Sequence, residues 1–235
     1  MTNVLPAPKR AAFLAVIDDV ASRYAAEPWD REIARAREVF DGIRGQVYDD
    51  EAVFDDHMTA FLDWYTVERA LPCGQAPVVA DLAAALEEGR ALSVEQRAIR
   101  RALGLSHRTL LQLHELSSGG MRLLDLIEGG LWRVERDAPR DGLRRGEIFE
   151  GRLVPWEGGV VLGPVCWWHP SEAAPQIRII VREAARRGLQ TSGLVDRLAQ
   201  MRLRHTRFRN IDIARIYALD GLKGEARSRA AGPEA

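Results

Sequence analysis

The stretch from Arg108 to His169 constrains the fold most, because it has the pattern of short strands separated by tight turns. Five segments carry this pattern: RTLLQLHEL, MRLLDLI, LWRVERD, GEIFEGRLVPW and VVLGPVCWWH. The connections are SSGG, EGG, PRDGLRRG and a second EGG, whose glycines allow tight reversals without steric cost. Five strands at this spacing predict an antiparallel meander, and we expect it to curl into a small barrel-like unit with few open edges.

Helical patterns flank the strands on both sides. Apolar side chains recur at three- and four-residue spacing through residues 10–105, which predicts five amphipathic helices. Ser93 and Gln96 have the spacing of a capping box before the fifth of them. The same periodicity returns after the strands, now with many arginines. The predicted fold class is therefore α+β, with an N-terminal helical layer, a central five-stranded antiparallel barrel-like β unit and basic C-terminal helices.

The same patterns predict how the chain divides. We expect a flexible tail in residues 1–9, an acidic helical region in 10–105, a small antiparallel β unit in 106–170, basic C-terminal helices in 171–220 and a disordered tail in 221–235. The last segment has almost nothing to bury, which is typical of disorder.

Composition places the chain among ordinary globular proteins, since 46% of its 235 residues are hydrophobic and a real core can form. The apolar run AAFLAVI near the N-terminus is followed at once by Asp18 and Asp19 and is too short to cross a bilayer. Cys73 and Cys166 lie far apart and form no metal or redox motif, which indicates two free thiols in a reducing compartment. We therefore expect a cytoplasmic protein that does not associate with a membrane.

The net charge is close to zero, but its distribution is uneven. Residues 11–95 carry 18 acidic and 7 basic side chains, a balance of −11. Residues 178–215 carry ten arginines against three acidic side chains, a balance of +7. We therefore expect one side of the molecule to be acidic and another to be basic, unless the two regions pair with each other.

The segment RLAQMRLRHTRFRN, residues 197–210, is the predicted nucleic-acid-binding site. Arginines at this density on a helix can follow a phosphate backbone while an aromatic ring stacks on a base. The candidate residues are Arg197, Arg202, Arg204, Arg207, Phe208 and Arg209. The alternative interpretation is an internal interface in which these arginines pair with the acidic N-terminal layer.

Other motifs give weaker signals. GLRRGEIFEGRLVPWEGGVVL, residues 142–162, has the glycine and acidic entry into a strand that occurs in OB-type barrels, but any such turn has the same pattern. DDEAVFDDH, residues 49–57, gathers five carboxylates and a histidine, yet its spacing fits no calcium loop or di-iron motif and suits a solvated helix start. The five histidines are scattered and no nucleophile motif occurs. We predict no catalytic residue, no metal and no cofactor.

Four strings carry a resemblance to a known family: FLDWY (61–65), RLVPWEG (152–158), the pair His169–Pro170, and MRLRHTRFRNIDIARIY (201–217). The chain resembles a family of uncharacterised bacterial proteins in which a helical N-terminal part, a strand-rich middle and a basic C-terminal helix follow in this order. The resemblance covers roughly residues 29–219 and implies no activity. Some proteins with a similar middle part carry a cysteine-rich metal-binding tail, which this chain lacks, so zinc is not implied.

The functional prediction is a non-catalytic intracellular interaction protein, an adaptor or regulatory subunit whose partner is another protein. The lack of a catalytic motif, the division of charge and the tryptophans near the β unit favour it. The alternative is a nucleic-acid-binding protein that uses the arginine-rich segment and the β unit. An enzyme is the third hypothesis, because catalytic groups can meet in space without a sequence motif.

Overall fold

A computed structural model of the chain describes residues 6–135, 142–189 and 191–218. The described N-terminal part contains five helices: α1 (Arg10–Arg23), α2 (Asp30–Arg44), α3 (Phe54–Val67), α4 (Pro77–Glu87) and α5 (Val94–Gly104). Five strands follow: β1 (His107–Ser117), β2 (Gly120–Asp125), β3 (Leu131–Val134), β4 (Ile148–Trp156) and β5 (Gly159–Trp168). A short 3-10 helix, Ser171–Ala173, leads into α6 (Ala174–Arg187), α7 (Thr191–Arg207) and α8 (Ile213–Ile216).

The strands form one antiparallel sheet in the order β3-β2-β1-β4-β5. All five predicted strands are present, and the α+β class is confirmed. The capping box is present as well, since the Ser93 hydroxyl accepts from the Gln96 amide and the Gln96 side chain accepts from the Ser93 amide. Residues 1–5 of the predicted N-terminal tail and all of the predicted tail 221–235 lie outside the described residues.

The prediction of a barrel-like unit is wrong. The sheet curls, helped by irregularities in β1 between Leu113 and Glu115 and in β4 between Gly151 and Leu153. The edge strands β3 and β5 approach each other, but the pairings of the described residues join β3 only to β2 and β5 only to β4.

One face of the sheet carries a cluster of apolar side chains, and helices cover the other face. This apolar cluster contains Leu111, Leu113, Met121, Leu123, Val134, Phe149 and Leu153. On the opposite face, Val154 and Trp167 pack against the N-terminal helices, whereas Leu110 and Ile148 pack against α6 and α7. The interior strand β4 is therefore buried on both faces, with the sole exception of Pro155.

This arrangement places charged side chains of β1 and β4 under the helices. In the β1–β4 ladder Arg108 lies opposite Arg152, and Leu110 lies opposite Glu150. Since strand side chains alternate between faces, Arg108, Glu150 and Arg152 share the helix-covered face with Leu110. The sheet thus presents charges where its helical cover would ordinarily require apolar groups.

The turn between β1 and β2 leads to a first prediction about stability. Gly120 has a φ of +138°, and a Cβ at this position would lie 2.4 Å from the carbonyl oxygen of Val134. Gly120→Ala is therefore expected to lower the free energy of unfolding by about 1–3 kcal/mol. Its neighbour Gly119 is the matched control, because a Cβ there would meet only the Arg133 side chain, at 3.5 Å. Urea unfolding of both alanine variants checks this, and equal losses would contradict the steric account.

Candidate functional site

Arg108 on β1 is the centre of a buried network of ion pairs. Its Nε and Nη2 donate to the two carboxylate oxygens of Glu68, at 2.8 and 3.1 Å. Its Nη1 donates to Glu150 Oε1 at 3.0 Å and to Asp196 Oδ1 at 2.7 Å. Every nitrogen that carries a proton in this guanidinium group therefore has a carboxylate acceptor.

Two further arginines extend this network in opposite directions. Arg44 of α2 donates through Nη1 to Glu150 Oε1 at 2.9 Å. Arg152 of β4 donates through Nη2 to Asp63 and to Glu68, at 2.6 Å in each case. We call the whole set the charge network: Arg44, Asp63, Glu68, Arg108, Glu150, Arg152 and Asp196. Its three arginines face four carboxylates, so the charge network holds one net negative charge.

The arginines favour the ionised forms of Glu68 and Glu150 although burial opposes them. Burial alone would raise the pKa of Glu68, but the charges of Arg108 and Arg152 lower it to about 2. Burial opposes ionisation of Glu150 as well, and there Arg44 and Arg108 lower the pKa below its usual value. Since its members come from α2, α3, the segment after α3, β1, β4 and α7, the charge network fixes these elements relative to one another.

A pocket of about 590 Å³ opens beside Arg108, and we call it the Trp132 pocket. The sheet, the β2–β3 loop and the start of α7 all contribute to its wall. The lining residues are His107, Arg108, Asp125, Glu128, Gly129, Trp132, Thr191 and Ser192. Arg108 belongs to both features, so the pocket adjoins the charge network.

Asp125 is the buried acid of the Trp132 pocket. Its Oδ1 accepts three hydrogen bonds, from the Thr109 hydroxyl at 2.8 Å and from the backbone amides of Ile127 and Glu128 at 2.9 and 3.0 Å. Its Oδ2 is buried and has no hydrogen-bond partner among the described residues. The His107 imidazole lies close to it, with Nε2 3.6 Å from Oδ2. The carboxylate is thus rigidly oriented, with one oxygen left unpaired under a half-exposed imidazole.

Trp132 supplies the one large aromatic ring among the residues that line the Trp132 pocket. Trp132 is 36% exposed and its neighbour Leu131 is 40% exposed, both on the edge strand β3. Across the pocket, the Thr191 hydroxyl donates to Glu128 Oε1 at 2.7 Å, which links the start of α7 to the β2–β3 loop. A large exposed aromatic ring beside fixed polar groups is typical of a binding site.

The predicted nucleic-acid residues lie elsewhere, and several of them contact the acidic N-terminal region. Arg207 donates to both carboxylate oxygens of Glu51, at 2.8 and 2.6 Å. Arg202 stacks on Trp167, with its guanidinium carbon 3.9 Å from the ring centroid, and lies 3.6 Å from Asp56. Arg197 donates to Gln200 at 2.7 Å, within α7 itself. Arg202 and Arg207 therefore belong to the interface that the alternative interpretation expected.

The remaining candidates form a smaller group at the end of α7. Arg204 and Arg209 are exposed, and Phe208 is 48% exposed. The six predicted residues do not form one open stripe, because paired and exposed arginines alternate along the segment.

The described residues offer little for metal or thiol chemistry. In this part of the chain no group of three or more His, Cys, Asp or Glu side chains is arranged to hold a metal ion. Burial raises the pKa of the Cys166 thiol to about 12, so this group is not a thiolate near neutral pH. Within the same ranges no helix combines the length and the apolar character needed to cross a membrane.

Comparison of the chain with protein-family models, with curated proteins and with solved structures finds no match. The resemblance to a bacterial family, carried by the strings in residues 61–65, 152–158 and 201–217, therefore stays a prediction.

Sequence reasoning missed the Trp132 pocket. Its members are spread from residue 107 to residue 192 and come together only through the sheet order and the position of α7. One local signal was present, because Asp125 lies near the end of the predicted strand MRLLDLI and shortly precedes the turn at Glu128–Gly130. An acidic side chain at that place often caps a turn, and here it does so through Oδ1.

Proposed function

We propose that the chain is a non-catalytic interaction protein, an adaptor or regulatory subunit that binds a protein partner at the Trp132 pocket. The observation that carries this proposal is the exposed Trp132 ring on an edge strand, in the wall of a pocket that adjoins the charge network. Aromatic side chains with an accessible face are enriched at protein interfaces, and rigid surroundings reduce the entropy lost on binding.

The polar groups of the pocket favour recognition over chemistry. His107 is the one imidazole among the lining residues, and within the described part of the chain no serine or cysteine hydroxyl or thiol hydrogen-bonds to it. The Thr191 hydroxyl is engaged with Glu128. A nucleophile activated by an adjacent base requires such a contact.

A photo-crosslinking experiment tests the proposed function. Benzoylphenylalanine in place of Leu131, beside Trp132, is expected to form an adduct with a discrete protein in cells that naturally carry this chain. The same amino acid in place of Val94, which is 61% exposed on α5, is the matched control. The adduct at position 131 should disappear when Trp132→Ser is added and should survive nuclease treatment.

Two results would overturn the proposal. One is the same set of adducts from positions 131 and 94, which would mean that the Trp132 pocket has no special affinity for a partner. The other is an adduct that nuclease removes and that depends on Arg204 and Arg209. The exposed group of Arg204, Phe208 and Arg209 favours this nucleic-acid alternative, whose binding would also weaken steeply with added salt.

A further inference from the structure

We infer that the Trp132 pocket binds the cationic end of an arginine or lysine side chain presented by the partner. This inference rests on the proposed function, since it names the group of the partner that the pocket receives. Asp125 Oδ2 would accept the ligand N–H, and the face of Trp132 would cover the cation.

The unpaired oxygen of Asp125 is the first argument. A buried carboxylate oxygen without a hydrogen-bond donor is unfavourable, because it has lost water and gained no partner. The Asp125 side chain is only 1% exposed, and its other oxygen is fully engaged by three donors. A ligand that brings an N–H group to Oδ2 supplies the missing bond, and a cationic donor makes that bond stronger than a neutral one.

The charges around the pocket are the second argument. Asp125 and Glu128 contribute two carboxylates to the lining, and the charge network behind Arg108 adds one net negative charge. Arg108 cannot donate a hydrogen bond to an anionic ligand, because its nitrogens already donate to Glu68, Glu150 and Asp196. The start of α7 favours an anion, and the carboxylate of Glu128 already lies there, bound to the Thr191 hydroxyl. The net negative charge around the pocket therefore favours a cationic ligand.

His107 covers the acceptor oxygen. Its ring is 49% exposed, with Nε2 3.6 Å from Asp125 Oδ2, so the ring must turn toward solvent for a ligand nitrogen to reach this oxygen. A half-exposed side chain changes rotamer readily. His107 therefore acts as a removable cover and not as a ligand-binding group, which separates this inference from one in which the imidazole itself holds the ligand.

A pair of short peptides tests the inference. The peptide Ac-Ala-Arg-Ala-NH2 is titrated into the full chain, and the indole N–H signal of Trp132, assigned from Trp132→Phe, is followed by NMR. The peptide with citrulline in place of arginine is the matched control, because its side chain has nearly the same shape and no charge. We expect the arginine peptide to bind at least tenfold more tightly than the citrulline peptide, with the lysine peptide also above citrulline.

Protein variants locate the contact. Asp125→Asn keeps an oxygen that can accept the three hydrogen bonds at Oδ1 but removes the charge, and it should weaken arginine-peptide binding at least tenfold. Asp18→Asn, an exposed carboxylate on α1, should leave binding unchanged. His107→Ala removes the cover and should bind at least as tightly as the unaltered chain.

Equal binding of the arginine and citrulline peptides, or full binding by Asp125→Asn, would overturn the inference. So would a loss of binding in His107→Ala, because the imidazole would then be the ligand-binding group. Failure here is distinguishable from failure of the proposed function. A protein adduct at position 131 without arginine preference contradicts only the choice of ligand, whereas the loss of both contradicts the binding site itself.

Discussion

Glu150→Ala is expected to lower the free energy of unfolding by about 3–5 kcal/mol, because it leaves two buried arginines without their shared carboxylate. Glu150 is 4% exposed and accepts from Arg44 at 2.9 Å and from Arg108 at 3.0 Å. Neither arginine can reach water to recover the lost interaction, since Arg44 is 2% exposed and Arg108 is 8% exposed. Equilibrium urea unfolding, followed by far-ultraviolet circular dichroism, measures the loss.

The matched control for this substitution lies on the same sheet. Glu115 of β1 pairs with Arg122 at 3.1 Å, but both side chains are about half exposed. Glu115→Ala should therefore cost less than about 1 kcal/mol, as surface ion pairs generally do. If the two alanine variants lost equal stability, burial of the charge network would not make its ion pairs more important for stability than an exposed pair.

Acid is expected to destabilise the protein well before Glu68, whose pKa is lowered to about 2, is protonated. Burial, which outweighs the attraction of Glu150, lowers the pKa of His169 to about 3 from its usual 6.5. The unfolded chain then binds a proton below pH 6.5 that the folded chain rejects, so stability falls as the pH drops through the window from 6.5 to about 3. Between pH 7.5 and pH 5 the expected loss is about 2 kcal/mol from this histidine.

The variant His169→Gln isolates this contribution. Glutamine does not titrate, and its amide can hydrogen-bond to the Tyr217 hydroxyl, which lies 3.1 Å from His169 Nδ1. Urea unfolding at pH 7.5 and at pH 5 should show a smaller pH-dependent loss in the variant, by about 2 kcal/mol.

The effect is separable from that of Glu68, because a carboxyl with a pKa lowered to about 2 loses its stabilising contribution only as the pH falls from 4.5 toward 2. An identical pH dependence in the variant and the unaltered chain would show that His169 is not kept neutral by the fold. Part of the loss should remain in the variant, since burial lowers the pKa of His57 as well.

The strands and helices could be predicted from the sequence because their signals are local. Turn glycines and alternating side chains defined β1 to β5, and three- and four-residue spacing defined the helices. The closure of the sheet could not be predicted in this way. Whether a five-stranded sheet closes depends on the register of its strands, and the irregularities at Leu113/Glu115 and Gly151/Leu153 become visible only in that register.

The charge network was hidden for a different reason. Glu150 and Arg152 alternate with Phe149, Gly151 and Leu153 along β4, which is the ordinary pattern of a strand with one wet face. Only the packing of helices over that face shows that the charges are buried and paired. The ends of α7 present the same difficulty, because nothing in the sequence distinguishes the paired Arg207 from the exposed Arg209.

The charge network also sets how the protein can be divided. The boundaries near residues 105 and 170 separate segments of different composition, but Arg108 takes acceptors from both sides of them, from Glu68 before the first and Asp196 after the second. A cut at either boundary would remove a carboxylate partner of Arg108 and part of the helical cover over it. The three segments are therefore expected to melt in a single cooperative transition, as one folding unit.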